Sequence, residues 1–206
     1  MERYPEAVQE LIEELKLLPG VGRRGAERMA LALLRRPADE LRRLGTLFVN
    51  LPDRVGQCPE CGALAASGSR CGICASAMRD DALLCVVENM PQLLAIESSG
   101  NFNGRYLVLG GRLSPLDHED GSNLNLAGLR RRLELGQVKE VILALGFDVE
   151  GRATAAFIGD WLKKYPVRVS QPALGLPAGA NLSFADAATI SAAFRGRIVQ
   201  NEIKAP

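Results

Sequence analysis

Two Cys-x-x-Cys pairs, Cys58–Cys61 and Cys71–Cys74, stand nine residues apart. Thiolates at this spacing suit a structural Zn²⁺, which takes four tetrahedral protein ligands. Gly62 and Gly72 directly follow Cys61 and Cys71, where a tight turn favours a residue tolerant of positive φ. The competing readings are two disulfides or a redox pair. The start of the chain has no secretory apolar region, and a redox Cys-x-x-Cys has no need of a second copy. Four thiolates leave no open position for a catalytic water, so the expected zinc holds a fold together and performs no reaction.

The second set is basic. Between Leu15 and Leu47 lie eight Lys or Arg side chains against three acids. Arg24, Arg28 and Arg35 recur at spacings that place them on one helix face. Just before them runs Gly20-Val21-Gly22-Arg23-Arg24-Gly25, a Gly-x-Gly-x-x-Gly string. A dinucleotide fingerprint needs a strand in front of that string. Here an amphipathic helix precedes it, with Val8, Leu11, Ile12, Leu15 and Leu18 at helical spacing. Leu18-Pro-Gly-Val-Gly22 between two helices is instead a helix–hairpin–helix. Gly20 and Gly22 then let backbone N–H groups and the dipole of the second helix face a phosphate. Arg23, Arg24, Arg28 and Arg35 add contacts to a DNA backbone that read no sequence. The bland alternative is a solvated helix face. Leu31 and Leu34 are expected to supply part of the second helix's apolar face, with Ala residues beside them. A third helix is expected over residues 38–50 with Leu41, Leu44 and Phe48 inward, then a linker at 50–53.

The third set is acidic. From Leu83 onward, apolar runs alternate with helical patterns: strands near 83–87, 106–110, 138–145 and 167–169, helices near 91–98, 124–135, 150–164 and 185–194. That alternation predicts an α/β architecture with a mostly parallel sheet. Ligands of such sheets meet the carboxyl ends of the strands. Glu88 ends the first strand, and Asp148 and Glu150 follow the third. Acids converging there are apparatus for Mg²⁺, or, for Asp148 and Glu150, ordinary helix N-terminal residues. Arg130-Arg131-Arg132 is expected to be an exposed cluster, Cys85 a core residue, and Asp117-His118-Glu119-Asp120 a solvated loop.

With 206 residues, 47% hydrophobic composition and a net charge of +1, the chain is a globular protein of one or two domains with only local attraction for nucleic acid. No apolar run reaches membrane-spanning length, so no membrane binding is expected; five cysteines, four of them accounted for by metal, lead us to expect a reducing cytoplasm.

Taken in order, these pieces resemble the bacterial RecR recombination-mediator family along nearly the whole chain. The resemblance is carried by Leu18-Pro-Gly-Val-Gly22, the four cysteines, Cys85-Val-Val-Glu88, Leu113-Ser-Pro115, Val141-Ile-Leu-Ala144, Glu150-Gly-Arg-Ala-Thr154, Gly175-Leu-Pro-Ala-Gly179, and Asp186 with Thr189. It implies a helix–hairpin–helix unit at 1–53, a four-cysteine zinc finger at 54–80, a Toprim domain at 81–172 and a small C-terminal region at 173–206. It further implies ring-like homotetramers that encircle duplex DNA near the nucleoid and act, without being enzymes, beside RecO and RecF to load RecA. Arg24 and Arg28 match the family's DNA contacts, and Glu88 and Glu150 its contacts to RecO. Catalytic Toprim domains carry Asp-x-Asp-x-Glu-Gly-Glu where this chain reads Gly146-Phe-Asp148-Val-Glu150-Gly-Arg152. The loss of one acid and the gain of a base weaken the alternative of a Mg²⁺-dependent nuclease or topoisomerase-like enzyme. The common RecR pattern itself has Asn and Glu at those two places.

Overall fold

The computed structural model describes residues 4–114, 121–176 and 179–197. The Asp117–Asp120 stretch with His118 lies outside them, as do Pro177 and Ala178 of the Gly175–Gly179 loop. The chain forms two compact units, Met1–Val55 and Gly56–Pro206.

The first unit has three helices: α1 (Glu6–Lys16), α2 (Arg23–Leu34) and α3 (Ala38–Arg54). Its core is Ile12 of α1 against Ala26 and Ala30 of α2, flanked by Val8, Leu11, Leu15 and Val21. Leu31 and Leu34 of the expected apolar face are not inward, since both are exposed. Alanines make the contact instead, because small side chains let two helix backbones approach closely and leave larger ones no room. α3 also runs past its expected end and absorbs the anticipated linker, with Pro52 inside its last turn. There the missing N–H costs only one hydrogen bond near the terminus. Leu41 and Leu44 are half-buried as expected. Phe48 is not inward: it is 67% exposed, in an exposed run with Leu47, Val49 and Leu51.

The second unit is built on a parallel four-stranded sheet. Its strands are β3 (Asp80–Val87), β4 (Gly104–Val108), β5 (Glu140–Leu143) and β6 (Arg168–Ser170), in the order β4-β3-β5-β6. Ahead of it, β1 (Val55–Gln57) and β2 (Leu64–Ala66) form a separate two-stranded ribbon. Successive β3 side chains alternate between faces. Leu84 and Val86 join Leu107, Leu129, Val141, Leu143, Ile158 and Leu162, drawing in α6 (Leu126–Glu134) and α7 (Val149–Leu162). Cys85 and Val87 join Tyr106, Val108, Leu93 of α5 (Met90–Ser98) and the four other cysteines. The cysteine module is thus continuous with the core of one sheet face. Cys85 is a core residue as expected, and burial raises its thiol pKa to about 12. A short helix, α4 (Gly72–Ala75), lies within the cysteine module. A closing helix, α8 (Ala187–Arg195), starts at Asp186, whose Oδ1 accepts the N–H groups of Ala188 and Thr189.

Arg79, just before β3, ties the sheet to α5. Its guanidinium pairs with Glu97 at two points and donates to the Phe102 carbonyl at 3.3 Å. The hydrogen bond from Arg79 holds the Glu97 carboxyl below its usual range. A depressed carboxylate adds stability that is present above its unfolded pKa and lost as pH falls through the folded value. Arg79→Met should therefore flatten the acid limb of the melting temperature–pH curve below about pH 4.5, which scanning calorimetry across pH 3–7 would read.

Candidate metal centre, basic helix face and acidic sheet edge

The cysteine site is assembled from the β1–β2 ribbon and α4. After Cys58, the chain turns so that the Cys58 N–H donates to the Ala63 carbonyl at 2.7 Å and the Gly62 N–H to the Cys58 carbonyl at 2.9 Å. Gly62 has φ +76°, as the turn argument expects. Any Cβ there would also press on the Val108 carbonyl at 3.0 Å. Gly72 departs from that expectation: it takes no positive φ and opens α4, with Cys71 as its N-cap. All four Sγ atoms lie within 4.8 Å of one another, and Cys61 and Cys71 Sγ are 3.6 Å apart. Tetrahedral Zn–S bonds of about 2.3 Å put sulfurs about 3.8 Å apart, so the donor set fits such an ion. None of the four is paired in a disulfide.

Hydrogen bonds orient the ligands from outside. The Cys71 N–H donates to Cys58 Sγ at 3.3 Å, and the Cys74 N–H to Cys71 Sγ at 3.4 Å. Burial raises the Cys58 thiol pKa, but N–H groups of Cys71, Glu60 and Cys61 outweigh it and leave the thiol at about 7. The Cys74 thiol is pushed far up, first by its hydrogen bond with Cys61, then by burial and the other sulfurs' charge. A bound cation would let all four ionise together. Arg132 of α6 reaches in as well. Its Nη2 donates to Cys74 Sγ at 3.1 Å and to Glu60 Oε2 at 2.9 Å. The expected exposed cluster is therefore split: Arg130 and Arg131 are exposed, while Arg132 is mostly covered. Arg105 of β4 closes the module from below, donating to the carbonyls of Ile73 and Cys74 at 2.7 and 3.1 Å.

Arg24 and Arg28 on α2, and Arg35 at its C-cap, are all exposed. None of the three forms an ion pair among the described residues, whereas Arg23 pairs with Glu27 at 3.4 Å. The preceding hairpin closes through the Val21 N–H to the Leu18 carbonyl at 3.1 Å, with Gly20 at φ +79°. Gly22 is the N-cap of α2, with no side chain capping it and no acid in the first turn. The first N–H groups of α2 thus keep their donors available beside the arginines.

Parallel pairing brings the carboxyl ends of β4, β3 and β5 to one sheet edge, and Glu88, Asp148 and Glu150 meet there. Glu88 is only 3% exposed. Its Oε1 accepts the Gly146 N–H at 2.6 Å and its Oε2 accepts Gln92 Nε2 at 3.0 Å. Asp148 caps α7, its Oδ1 accepting the Gly151 N–H at 2.8 Å. That bond, followed by Arg112, keeps its carboxyl below the ordinary range. A side chain on Gly151 would run into the Gly146 carbonyl. Arg112, from the loop after β4, stands among the three acids: Nη1 to Asp148 Oδ2 at 2.7 Å, Nε to Glu150 Oε2 at 3.3 Å and Nε to Glu88 Oε2 at 3.9 Å. The loop is pinned by Thr154, which is fully buried. The Thr154 hydroxyl accepts the Leu113 N–H at 2.9 Å and donates to the Glu150 carbonyl at 2.8 Å. These residues do not fit a Mg²⁺ site, because a guanidinium already fills the space between the oxygens.

Residues 8–50 match the RecR helix-hairpin-helix, 82–173 the Toprim domain, and 175–198 the RecR C-terminal region. The chain is 47% identical to Recombination protein RecR of Thermus thermophilus, over 95% of its own length and 98% of that protein's. It is 45% identical to the protein of the same name from Halorhodospira halophila, over 96% and 98%. It is 41% identical to that of Acidothermus cellulolyticus, over 94% and 97%. The chain belongs to the RecR family of recombination proteins.

Sequence reasoning about this RecR chain found the cysteines, the arginine face and the three acids, but missed Arg112, Gln92, Thr154 and Arg132. Of these, only Arg112 had a legible signal. It is a base placed just after a strand of a sheet expected to be parallel, where the strand ends share one edge, although which acids it meets depends on strand order. Among the described residues, no helix is long and apolar enough to cross a membrane.

Proposed function

We propose that this RecR-family chain is a recombination mediator: a non-enzymatic clamp on DNA that acts with RecO and RecF to load RecA in recombinational repair. The observation that carries the reading is the row of exposed arginines without ion pairs among the described residues, with Arg24 and Arg28 following the uncapped start of α2 and Arg35 just past its end. Arg23, Gly20 and Gly22 complete that contact, and phosphates are held without regard to base sequence. On this reading residues 1–53 hold DNA. Zn²⁺ on Cys58, Cys61, Cys71 and Cys74 stiffens residues 54–80. The Toprim domain at 81–172 presents Asp148 and Glu150 to a basic surface of RecO, with Glu88 buried behind them as their support, and residues 173–206 form the C-terminal region. The exposed run Leu47, Phe48, Val49 and Leu51 of α3 supports self-association, since contiguous apolar surface of this kind is costly to leave in water. A homotetrameric ring, in the cytoplasm at the nucleoid, is the assembly we favour.

The nuclease alternative is disfavoured by Arg112, which ion-pairs with the acids that reading needs, and by Gly146 and Arg152 at two positions where it needs acids. The experiment is RecA filament growth on gapped DNA coated with single-strand-binding protein. The chain plus RecO should shorten the lag several-fold relative to RecO alone. An unchanged lag sinks the mediator reading, and nicking of supercoiled DNA in Mg²⁺ that Glu88→Gln abolishes would replace it with the enzyme.

A further inference from the structure

Three carboxylates lie within 4 Å of one guanidinium at the sheet edge. Such a group of oxygens in an α/β fold is ordinarily gathered by a divalent cation, which binds oxygen at about 2.0–2.6 Å and needs several at once. Here every acid has other work. Glu88 has both oxygens engaged, by the Gly146 N–H and by Gln92. Asp148 gives Oδ1 to the start of α7 and Oδ2 to Arg112. Glu150 gives Oε2 to Arg112. A Cβ at Gly146 would sit tightly against the same acids, 3.0 Å from Glu88 Oε1 and 3.2 Å from Asp148 Oδ1. The Arg112 side chain is partly exposed, but its backbone is fixed. Its loop is anchored on the next residue by the Leu113 N–H to buried Thr154, and Thr154 belongs to the same helix as Glu150.

We propose that Arg112 is the resident cation of this edge: it takes the place of a divalent ion among Glu88, Asp148 and Glu150, holds the acids in position, and excludes Mg²⁺ and Mn²⁺. The inference rests on the non-enzymatic reading above and names what keeps the edge free of metal chemistry. Arg112 is a positioning residue, because it acts by neutralising and orienting acids. A guanidinium makes directional, two-point contacts and carries one positive charge, where a hexahydrated Mg²⁺ must shed water to enter. Removing it leaves three carboxylates facing a common space with their attraction for a dication uncompensated.

The test uses the full-length, zinc-loaded protein and Mn²⁺ as probe, followed by electron paramagnetic resonance of the free ion. The wild type should bind no Mn²⁺ below about 1 mM. Arg112→Gln should gain one site at least tenfold tighter, and Asp148→Asn added to it should remove that site. Arg112→Lys should bind Mn²⁺ more weakly than Arg112→Gln, since the charge is retained while the two-point contact is lost. Arg112→Ala gives the same readout should the glutamine variant fold poorly, and far-ultraviolet circular dichroism checks both. Arg112→Gln with no more Mn²⁺ than the wild type overturns the inference alone. Nicking of DNA by the wild type in Mg²⁺ would overturn the functional reading beneath it.

Discussion

Removing the metal should unfold the cysteine module and lower the melting temperature by more than about 10 °C. Structural Zn²⁺ binding in small thiolate sites is worth about 10–16 kcal/mol at neutral pH, against a total stability of about 5–15 kcal/mol for a domain. The module has little else to hold it. Its two strands are three residues each and α4 is four residues. Its covered interior consists of Cys58, Cys61, Ala63, Cys71 and Cys74. Those sulfurs pack in one cluster with Cys85, Val87, Tyr106 and Val108, but the sheet keeps its own strand pairing and second face. Arg132 and Arg105 would lose the sulfur and carbonyl groups they now serve. Cys71→Ser should have the same effect as chelation, since one missing thiolate leaves three. Elemental analysis should find one zinc per chain, and hydrogen exchange after chelator treatment should report lost protection in 57–75 first. A chain that melts at the same temperature with and without a strong chelator would remove the structural role assigned to the metal.

Arg24→Ala combined with Arg28→Ala should weaken DNA binding by roughly 50–100-fold near 0.1 M salt. Each phosphate contact releases about 0.9 counterion, so two contacts lower the log–log salt slope by about 2, and at 0.1 M that equals nearly two decades of affinity. Both side chains are exposed and ion-pair with nothing among the described residues, so neither substitution costs the fold a bond. The loss should be the same for any base sequence, as expected for contacts confined to the backbone. Fluorescence anisotropy across salt concentrations provides both numbers. A double variant with an unchanged slope would place the DNA elsewhere on the molecule.

The parts legible in the sequence were those whose signal is local. Cysteine spacing announces a four-sulfur cluster without help from the rest of the chain. The runs at Leu83–Val87 and Val141–Leu143 are continuous because both faces of a parallel strand are covered. Helix α2 was harder, for its leucines looked like the packing face while two alanines do the packing. Hydrophobicity ranks leucine first, but the closeness of α1 selects for size. Phe48 was misplaced because an apolar spacing on α3 says which side chains share a face, not whether anything covers it. The acidic edge was half legible. Glu88, Asp148 and Glu150 could be placed at strand ends, but the meaning of Arg112 depends on β4 and β5 lying on either side of β3. Strand order is a property of the whole sheet, and no short window of sequence contains it.

The chain contains five thiols in two very different settings. Cys85, with a pKa of about 12, presents about one thiolate in ten thousand at pH 8 and lies under closed packing. The other four form the cluster that could hold a metal ion, and on the proposed reading their protection depends on that ion. A thiol-alkylating reagent therefore distinguishes three conditions of the same sample by stoichiometry alone: none modified in the intact protein, four once the ion has gone, and five only when the sheet itself has opened.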